Sequence, residues 1–355
     1  MVRSVPLVLS FCFSGAALCQ PNYQANLSAT GDYIATRQLA DGAILSNSTS
    51  ISPYFANYAA IGWLKDNRQN RIGDVEAWIL WYLRHLNWPD AEGVYGSVYD
   101  YDYAPANGVE TAAGTYDSAD AYAATFLLLV EALWNTGDAG ARSFIKSSIG
   151  EYDLEVTADI IINLQQANGL VIVEPAYPLA YLIDNAEDWA GLKAFANLAS
   201  QAWHDTVVQN KFNAHAASIQ SGIQSVLFVP STKLYRTYAG APAPDLGTFY
   251  PDAVAQIWPG LQGVVTGSQF SSSYAKFKAA WPGWSTLSFD TQANPFPWCA
   301  VSYAAYLAGD ATNAIKYIGT IQGNYVDVTP TFPWPFYAAE GGWFMLTNAA
   351  MGGLK

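Results

Sequence analysis

Two aspartates stand three positions apart at the start of a predicted helix. The segment TYDSADAY, residues 115–122, contains Asp117 and Asp120. Side chains at this spacing project from one face of a helix, so both carboxylates are predicted to point toward the same end. A carboxylate kept ionised by a helix N-terminus suits a general base or a group that positions water. Capping of the helix by the same residues is a compatible interpretation.

A further carboxyl group, Glu340, follows an alternation of rings and prolines in FPWPFY, residues 332–337. Aromatic surroundings lower the local dielectric constant and raise a carboxyl pKa, which keeps an acid protonated. The glycines at 341 and 342 permit close approach of a ligand or of another backbone. Acid/base catalysis combines one such protonated acid with one carboxylate, so Glu340 with Asp117 or Asp120 is the predicted pair. Capping of the last helix is the structural alternative for Glu340.

Four other acidic residues are weaker candidates. Glu174 precedes a proline after an apolar run and is a second candidate for the catalytic acid. Asp41 belongs to an Asp-Gly pair, which is a turn signal as well as a possible sugar ligand. Asp184 and Asp252 lie on or before predicted inner helices, where Asp252 also suits an N-cap. The sequence therefore leaves the identity of the catalytic pair open.

Aromatic residues are frequent in the loops that carry these acids. The chain has 13 Trp and 23 Tyr. Rings with an apolar face and a polar edge suit stacking on sugars, although many of them must pack between helices instead. The rings predicted to contact substrate are Tyr95, Tyr99, Tyr101, Tyr116, Trp258, Trp298, Trp334, Tyr337 and Trp343.

The helices that must position these residues alternate in character. Helices that follow the acidic loops are small and apolar, whereas their partners are amphipathic and carry the charge. Inner helices are predicted at residues 54–63, 119–134, 179–186, 253–258, 300–308 and 343–351, and outer helices at 71–86, 154–166, 190–224, 274–280 and 312–321. Such two-helix units recur with a period of roughly 50 residues and must stack, and six of them can close into a ring.

One stretch between the helices has a different pattern. Residues 93–103, GVYGSVYDYDY, alternate aromatics with small or acidic residues. This pattern predicts a short β-hairpin or flap beside the mouth of the ring.

The composition excludes several classes of partner. The formal charge is -13, and the 16 Lys and Arg residues are scattered singly, which disfavours nucleic acids and polyanionic substrates. The three histidines, His85, His204 and His215, fall in predicted outer helices, so neither a histidine metal site nor a Ser-His-Asp triad is expected. No phosphate-binding glycine loop is present, so we expect no cofactor.

The first residues are typical of a secretory signal peptide. Arg3 precedes an apolar stretch at residues 6–17 that is too short to span a bilayer, and a small-residue site follows at residues 17–19. We therefore expect a secreted or periplasmic protein. A lipid anchor on Cys19 is less favoured because Leu18 fits such a site poorly. Only Cys299 remains after cleavage, so no disulfide framework can form. Asn26 and Asn47 stand in glycosylation sequons.

This organisation resembles the six-hairpin glycosidase superfamily. The resemblance implies an all-α (α/α)6 barrel over residues 20–355 as a single catalytic domain, with long loops and a short β-hairpin at the active-site mouth. It also implies a cleft where the inner helices begin, with catalytic carboxylates in the loops that enter them. The expected protein is a monomeric, secreted glycoside hydrolase that cleaves a neutral oligo- or polysaccharide with inversion of configuration.

Two alternatives remain open on the sequence. The same fold could support a polysaccharide lyase or epimerase that uses Tyr99, Tyr101 or Tyr116 as proton donor, which would require a basic cluster for uronic acids. A non-catalytic glycan-binding protein would tolerate loss of Asp117, Asp120 and Glu340 without losing its ligand. Such a binding protein would also release no reducing ends.

Overall fold

The computed structural model describes residues 21–66, 71–289, 296–328 and 331–354. The predicted signal peptide, residues 1–19 with Cys19, lies outside the described residues. The helices in chain order are α1 (Tyr23–Ala35), α2 (Pro53–Trp63), α3 (Arg71–Arg84), α4 (Ala119–Asn135), α5 (Ala139–Phe144), α6 (Glu151–Leu164), α7 (Leu182–Leu198), α8 (Thr206–Gly222), α9 (Trp258–Leu261), α10 (Gly267–Ala280), α11 (Cys299–Leu307), α12 (Ala311–Ile321) and α13 (Ala338–Gly352). No helix in these ranges is long and apolar enough to cross a membrane.

Six of the described helices form a closed inner ring. The order around the ring is α2, α4, α7, α9, α11 and α13, and α13 packs back against α2. The amphipathic helices α1, α3, α6, α8, α10 and α12 form the outer layer. The architecture is therefore an (α/α)6 barrel, which confirms the predicted fold class.

The contact that closes the ring depends on two glycines. A Cβ atom on Gly62 of α2 would lie 2.2 Å from the carbonyl oxygen of Gly342 on α13. A Cβ atom on Gly342 would in turn lie 2.0 Å from the carbonyl oxygen of Tyr58. The two helix backbones consequently pack in direct contact, which only residues without a side chain permit.

Two helical segments differ from the prediction. Residues 190–198 were predicted to begin an outer helix but belong to the inner helix α7, and the outer helix is α8. The inner helix continues through Glu187 and Asp188, which lie between the two predicted helices and are both fully buried. Helix α1 was not predicted at all. Its N-terminus is capped by Asn22, whose side-chain Oδ1 accepts the N–H of Ala25 at 3.0 Å.

Two small antiparallel sheets lie between the helices. Strands β1 (Ser50–Ile51), β2 (Tyr101–Ala104) and β3 (Val109–Ala112) form one, and β4 (Phe228–Val229) pairs with β5 (Leu234–Tyr235) in the other. In the β2–β3 hairpin Tyr101 is opposite Ala112. A hairpin was predicted over residues 93–103, so its existence is confirmed but its position is shifted toward the C-terminus.

We expect Gly342→Ala to destabilise the protein. The added methyl group would meet backbone atoms that cannot rotate away, and overpacking of this kind costs about 1–3 kcal/mol of unfolding free energy. Urea denaturation followed by circular dichroism measures the change. The control is Gly73→Ala on the outer helix α3, where no atom lies within 4 Å of the new Cβ. This control should be neutral or stabilising by up to about 1 kcal/mol. Equal effects of the two variants would contradict the close packing of α2 on α13.

Candidate active site

A cavity of about 1040 Å³ opens at the end of the barrel where the inner helices begin. Residues from the first turns of all six inner helices, or from the loops just before them, contribute to its lining. The carboxyl-bearing residues that line it are Asp100, Asp102, Asp117, Asp184 and Glu340. No lysine, arginine or histidine is among the lining residues that the structure describes. The cavity is therefore acidic and aromatic.

The structure brings most of the sequence-predicted residues to this cavity. The lining includes the catalytic candidates Asp117 and Glu340 and the substrate-binding candidates Tyr101, Asp184, Trp258, Trp298, Trp334, Tyr337 and Trp343. Strands β1 and β2 also contribute, so the predicted hairpin does lie at the mouth.

Four predicted acids lie outside the cavity lining. Asp120 is fully buried behind the cavity in the first turn of α4. Asp41 accepts the N–H of Ala43 at 3.2 Å in a surface turn. Asp252 accepts the N–H of Asp245 at 3.1 Å. Glu174 is half-buried in the loop before α7, where burial and the charges of Glu92, Asp117 and Asp90 raise its pKa.

Three predicted tyrosines have other roles. Tyr95 is 60% exposed at the surface. The hydroxyl group of Tyr99 accepts the N–H of Ala91 at 2.8 Å. The hydroxyl group of Tyr116 donates to Oδ2 of Asp90 at 2.8 Å, and the rings of Tyr99 and Tyr116 stack at 5.9 Å. These contacts stabilise the loop that precedes α4 rather than extending the cavity surface.

Glu340 is fixed by the neighbouring inner helix. It lies in the first turn of α13, and its Oε1 and Oε2 accept the backbone N–H groups of Trp298 and Cys299 at 3.0 and 2.5 Å. Those N–H groups begin α11, so Glu340 caps α11 rather than its own helix. Burial raises the pKa of Glu340 to about 6 although these hydrogen bonds oppose the rise. The carboxylate is consequently ionised at neutral pH.

The surroundings of Asp184 disfavour a negative charge, in contrast to the backbone N–H groups around Glu340. It lies in the first turn of α7 and lines the cavity. Burial, followed by the charges of Asp120, Glu187 and Asp117, raises its pKa well above the usual range. Burial and the nearby carboxyls both disfavour a negative charge here, so this environment stabilises the protonated form of Asp184 relative to an exposed aspartate.

Glu187 was missed by the sequence analysis and joins three inner helices. Its Oε1 accepts hydrogen bonds from the hydroxyl groups of Tyr54 and Tyr58, at 2.8 and 2.6 Å, and from Nε1 of Trp258 at 2.8 Å. These three donors come from α2 and α9, and their rings line the cavity. Burial raises the pKa of Glu187 to about 7, although the three donors lower it. A glutamate in an apolar inner helix was the signal that could have indicated this role.

Asp100 is a second residue that the sequence analysis did not single out. Its Oδ1 accepts the hydroxyl group of Tyr122 at 2.8 Å, and that hydroxyl lies 3.2 Å from Oγ of Ser52. Burial raises the pKa of Asp100 to about 6. The residue lies within the aromatic and acidic stretch at 93–103, which was the available signal.

Below Asp184, two further carboxyls pack against each other in the barrel interior. Asp120 on α4 and Asp188 on α7 are both fully buried. Oδ1 of Asp120 accepts the N–H of Ala121 at 2.8 Å. Burial, together with the neighbouring carboxyls, raises the pKa of Asp188 well above its usual range, and burial raises that of Asp120 to about 7. Oδ2 of Asp120 and both oxygens of Asp188 have no hydrogen-bond partner among the described residues, so a proton shared within the pair would lower its buried charge.

The order of the ring sets Asp184 and Glu340 on opposite sides of the cavity. Helix α7 is the third member of the inner ring and α13 is the sixth. Opposite axes in a ring of six lie about twice the usual interaxial distance apart, so about 16–20 Å. The two side chains extend into that space from opposite sides. The site can therefore hold a protonated carboxyl on one side of a ligand and an ionised one on the other.

Comparisons with known proteins identify the fold. No protein-family model and no curated protein sequence matches the chain. Solved structures do match, among them one described as a wild-type glycosidase, with a TM-score of 0.63 and 13% identity over 94% of this chain and 98% of that one. A cold-adapted family 8 xylanase has a TM-score of 0.60 and 15% identity over 94% and 92% of the two chains.

A third match is a GH63 mannosylglycerate hydrolase from Thermus thermophilus in complex with glucose. Its TM-score is 0.62 with 11% identity, over 92% of this chain and 99% of that chain. Together these structures confirm the predicted fold.

We expect Asp188→Asn to flatten the pH dependence of stability. Because the native pKa values of Asp188 and Asp120 are raised, the native state binds more protons than the unfolded state between about pH 4 and 7. The stabilisation that these raised pKa values give to the native state is therefore largest at low pH. It is lost as the pH rises through the native pKa values. As the pH rises from about 4 to 7, the free energy of unfolding should fall on the order of 1–4 kcal/mol further for the wild type than for Asp188→Asn.

Urea denaturation at a series of pH values measures this difference. Asp252→Asn, which replaces an acid outside the buried pair, serves as the control and should keep the wild-type slope. A variant slope equal to that of the wild type would show that Asp188 is ionised throughout.

Proposed function

We propose that the protein is a glycoside hydrolase that cleaves a neutral oligo- or polysaccharide. The observation that carries this proposal is the pairing of Asp184 and Glu340 across an aromatic cavity. Burial and like charge raise the pKa of Asp184, which favours its protonated form, and two backbone N–H groups stabilise the ionised form of Glu340. Glycosidic bond hydrolysis requires that combination of one acid and one carboxylate.

In the proposed reaction Asp184 is the general acid. It donates its proton to the glycosidic oxygen as the bond to the anomeric carbon breaks. Glu340 takes a proton from a water molecule whose oxygen bonds to the anomeric carbon from the opposite face. The two carboxyls then exchange protons with solvent to return to the starting state. Entry of water from the far side inverts the configuration, in keeping with carboxyls on opposite walls.

These roles reverse the ones that the sequence favoured. The sequence predicted Glu340 as the acid and Asp117 or Asp120 as the base. The hydrogen bonds to α11 make Glu340 the better base, and the buried acids around Asp184 make it the better acid. We assign Asp117, whose carboxylate is exposed to the cavity, to binding sugar hydroxyl groups.

The lining of the cavity supports a neutral sugar at the point of cleavage. Five carboxyl-bearing residues and no cation are found among the described lining residues, so a uronate would be repelled there. The absence of a described cation argues against the lyase or epimerase alternative. Of its three candidate proton donors, Tyr101 lines the cavity, whereas Tyr99 and Tyr116 lie outside the lining. Tyr54, Tyr58, Trp258 and Trp343 provide ring surfaces for stacking.

We also propose that the protein is exported to the periplasm or the exterior. Arg3, the apolar stretch at residues 6–17 and the small-residue site before Gln20 support this. N-terminal sequencing of the exported protein should find Gln20 first. A lipid-modified Cys19 or retention of Met1 in the mature protein would contradict cleavage at this site.

We expect Asp184→Asn and Glu340→Gln each to lower kcat by about 10²–10⁴-fold. The assay is the release of reducing ends from a panel of neutral glycans that includes xylo-oligosaccharides. A glycosyl fluoride distinguishes the two roles because fluoride leaves without a proton. Asp184→Asn should therefore retain activity on the fluoride, and Glu340→Gln should not.

Two acids outside the cavity lining provide matched controls. Asp252→Asn and Glu174→Gln should both keep wild-type activity. Loss of activity in Glu174→Gln would contradict the assignment of Asp184 as the acid. NMR of the first product released should show the inverted anomer. Activity of Glu340→Gln on the glycosyl fluoride would instead assign Glu340 as the acid, which is the role that the sequence favoured. Absence of new reducing ends from every glycan would reject the proposed hydrolase activity.

A further inference from the structure

A second cavity, of about 380 Å³, lies beside the mouth of the first. Its lining consists of Tyr33, Arg37, Asn47, Ser48, Thr49, Trp334 and Phe336. Asn47 and Trp334 line both cavities. A chain-like ligand could thus extend from the first cavity into the second along a continuous surface.

The second cavity differs from the first in its charge. Arg37 is the only charged residue among its described lining residues. The guanidinium carbon lies 5.0 Å from the centre of the Tyr33 ring, and Nε is buried without a hydrogen-bond partner. Within the described part of the chain no carboxylate forms an ion pair with Arg37. A fixed, unpaired guanidinium favours a planar anion such as a carboxylate.

Trp334 provides an aromatic surface between the two cavities. Its side chain is 62% exposed, although large aromatic residues are usually buried. The ring packs edge-to-face on Phe296, with centroids 5.5 Å apart. The exposed indole face is suited to the apolar face of a sugar ring.

Polar groups for a sugar are also present. Asn47 Oδ1 accepts the N–H groups of Thr49 and Ser50, at 2.8 and 3.1 Å, which orients the amide. Its Nδ2 remains available as a donor toward the cavity. The cavity therefore combines a cation, a ring surface and an oriented amide.

We propose that the second cavity is a subsite for an acidic sugar residue, a uronate, carried by the glycan that the first cavity cleaves. This proposal rests on the proposed function. Arg37 binds the carboxylate, Trp334 stacks on the sugar ring, and Asn47 donates to a hydroxyl group. The substrate class is then a glycan that is neutral at the cleaved bond and acidic a short distance away.

Glycosylation bears on the test because Asn47 stands in a sequon. A glycan on Asn47 would fill the proposed subsite, so the protein is produced in a host that does not glycosylate. The other sequon asparagine, Asn26, is fully buried and donates to Oδ1 of Asn348 at 2.9 Å. It is therefore inaccessible in the folded protein.

Binding of sodium D-glucuronate, D-glucose and sodium sulfate, measured by NMR titration, tests the subsite without turnover. We expect glucuronate to bind about tenfold more tightly than glucose, as for a charge-assisted hydrogen bond. Arg37→Met should remove this preference, and Arg37→Lys should retain part of it. Trp334→Ala should weaken the binding of glucuronate but not that of sulfate.

The matched control is Arg84→Met, since Arg84 lies outside both cavities and donates to the carbonyl oxygen of Asp41. It should leave glucuronate binding unchanged. Equal binding of glucuronate and glucose, or a preference that survives Arg37→Met, overturns the subsite. Sulfate that binds as tightly as glucuronate, with no effect of Trp334→Ala, also overturns it in favour of a general anion site.

These outcomes are separable from those of the hydrolase assays. Glucuronate binding that depends on Arg37, without any glycan hydrolysis, would retain the subsite and reject the proposed function. Hydrolysis of neutral glycans without preferential binding of glucuronate would retain the proposed function and reject the subsite. If both proposals hold, Arg37→Met should raise KM for xylo-oligosaccharides that carry a glucuronate branch and leave KM for linear ones unchanged.

Discussion

Closure of the inner helices into a ring is the constraint on which the site depends. Inner helices alternate with outer helices along the chain, so all six inner helices begin at one end of the barrel, and the direct packing of α13 on α2 through Gly62 and Gly342 closes them into a ring. Their first turns expose unpaired N–H groups there, and carboxylates are favoured beside such groups. An open arrangement of the same hairpins would leave Asp184 and Glu340 on surfaces that face away from each other.

The ring then allows carboxyl groups in different protonation states to coexist in one cavity. Glu340 is surrounded by backbone donors from α11, whereas Asp184 stands above Asp120, Glu187 and Asp188. Donors stabilise the ionised form, and buried like charges destabilise it. The same buried acids have a cost, because each ionised carboxyl in the interior lowers the stability of the fold. Stability and the protonation of Asp184 are thus coupled through the same group of residues.

Glu187 links this electrostatic arrangement to the shape of the cavity. One of its oxygens fixes Tyr54, Tyr58 and Trp258, so the ring surfaces and the acid cluster belong to one hydrogen-bonded unit. The second cavity has no such acids among its described lining residues and contains Arg37 instead. In the proposed binding mode, the first cavity at the barrel axis binds a neutral part of the substrate, and the second cavity beyond Trp334 binds an acidic sugar.

The class of fold and the kind of site could be predicted from the amino-acid pattern alone. Alternating apolar and amphipathic helices with acidic, aromatic connections were enough to predict the (α/α)6 barrel and to bring Asp117, Glu340 and most predicted rings to one mouth. Which acids face the cavity was decided by the tertiary structure. Asp117 and Asp120 are equally plausible at a spacing of three, yet Asp117 precedes the N-cap of α4 and is exposed, whereas Asp120 lies in the first turn of α4 and is buried where α4 packs on α7. The roles of Asp184, Glu187 and Arg37 depend on neighbours from distant parts of the chain, because protonation and hydrogen bonding are set by what surrounds a residue in space.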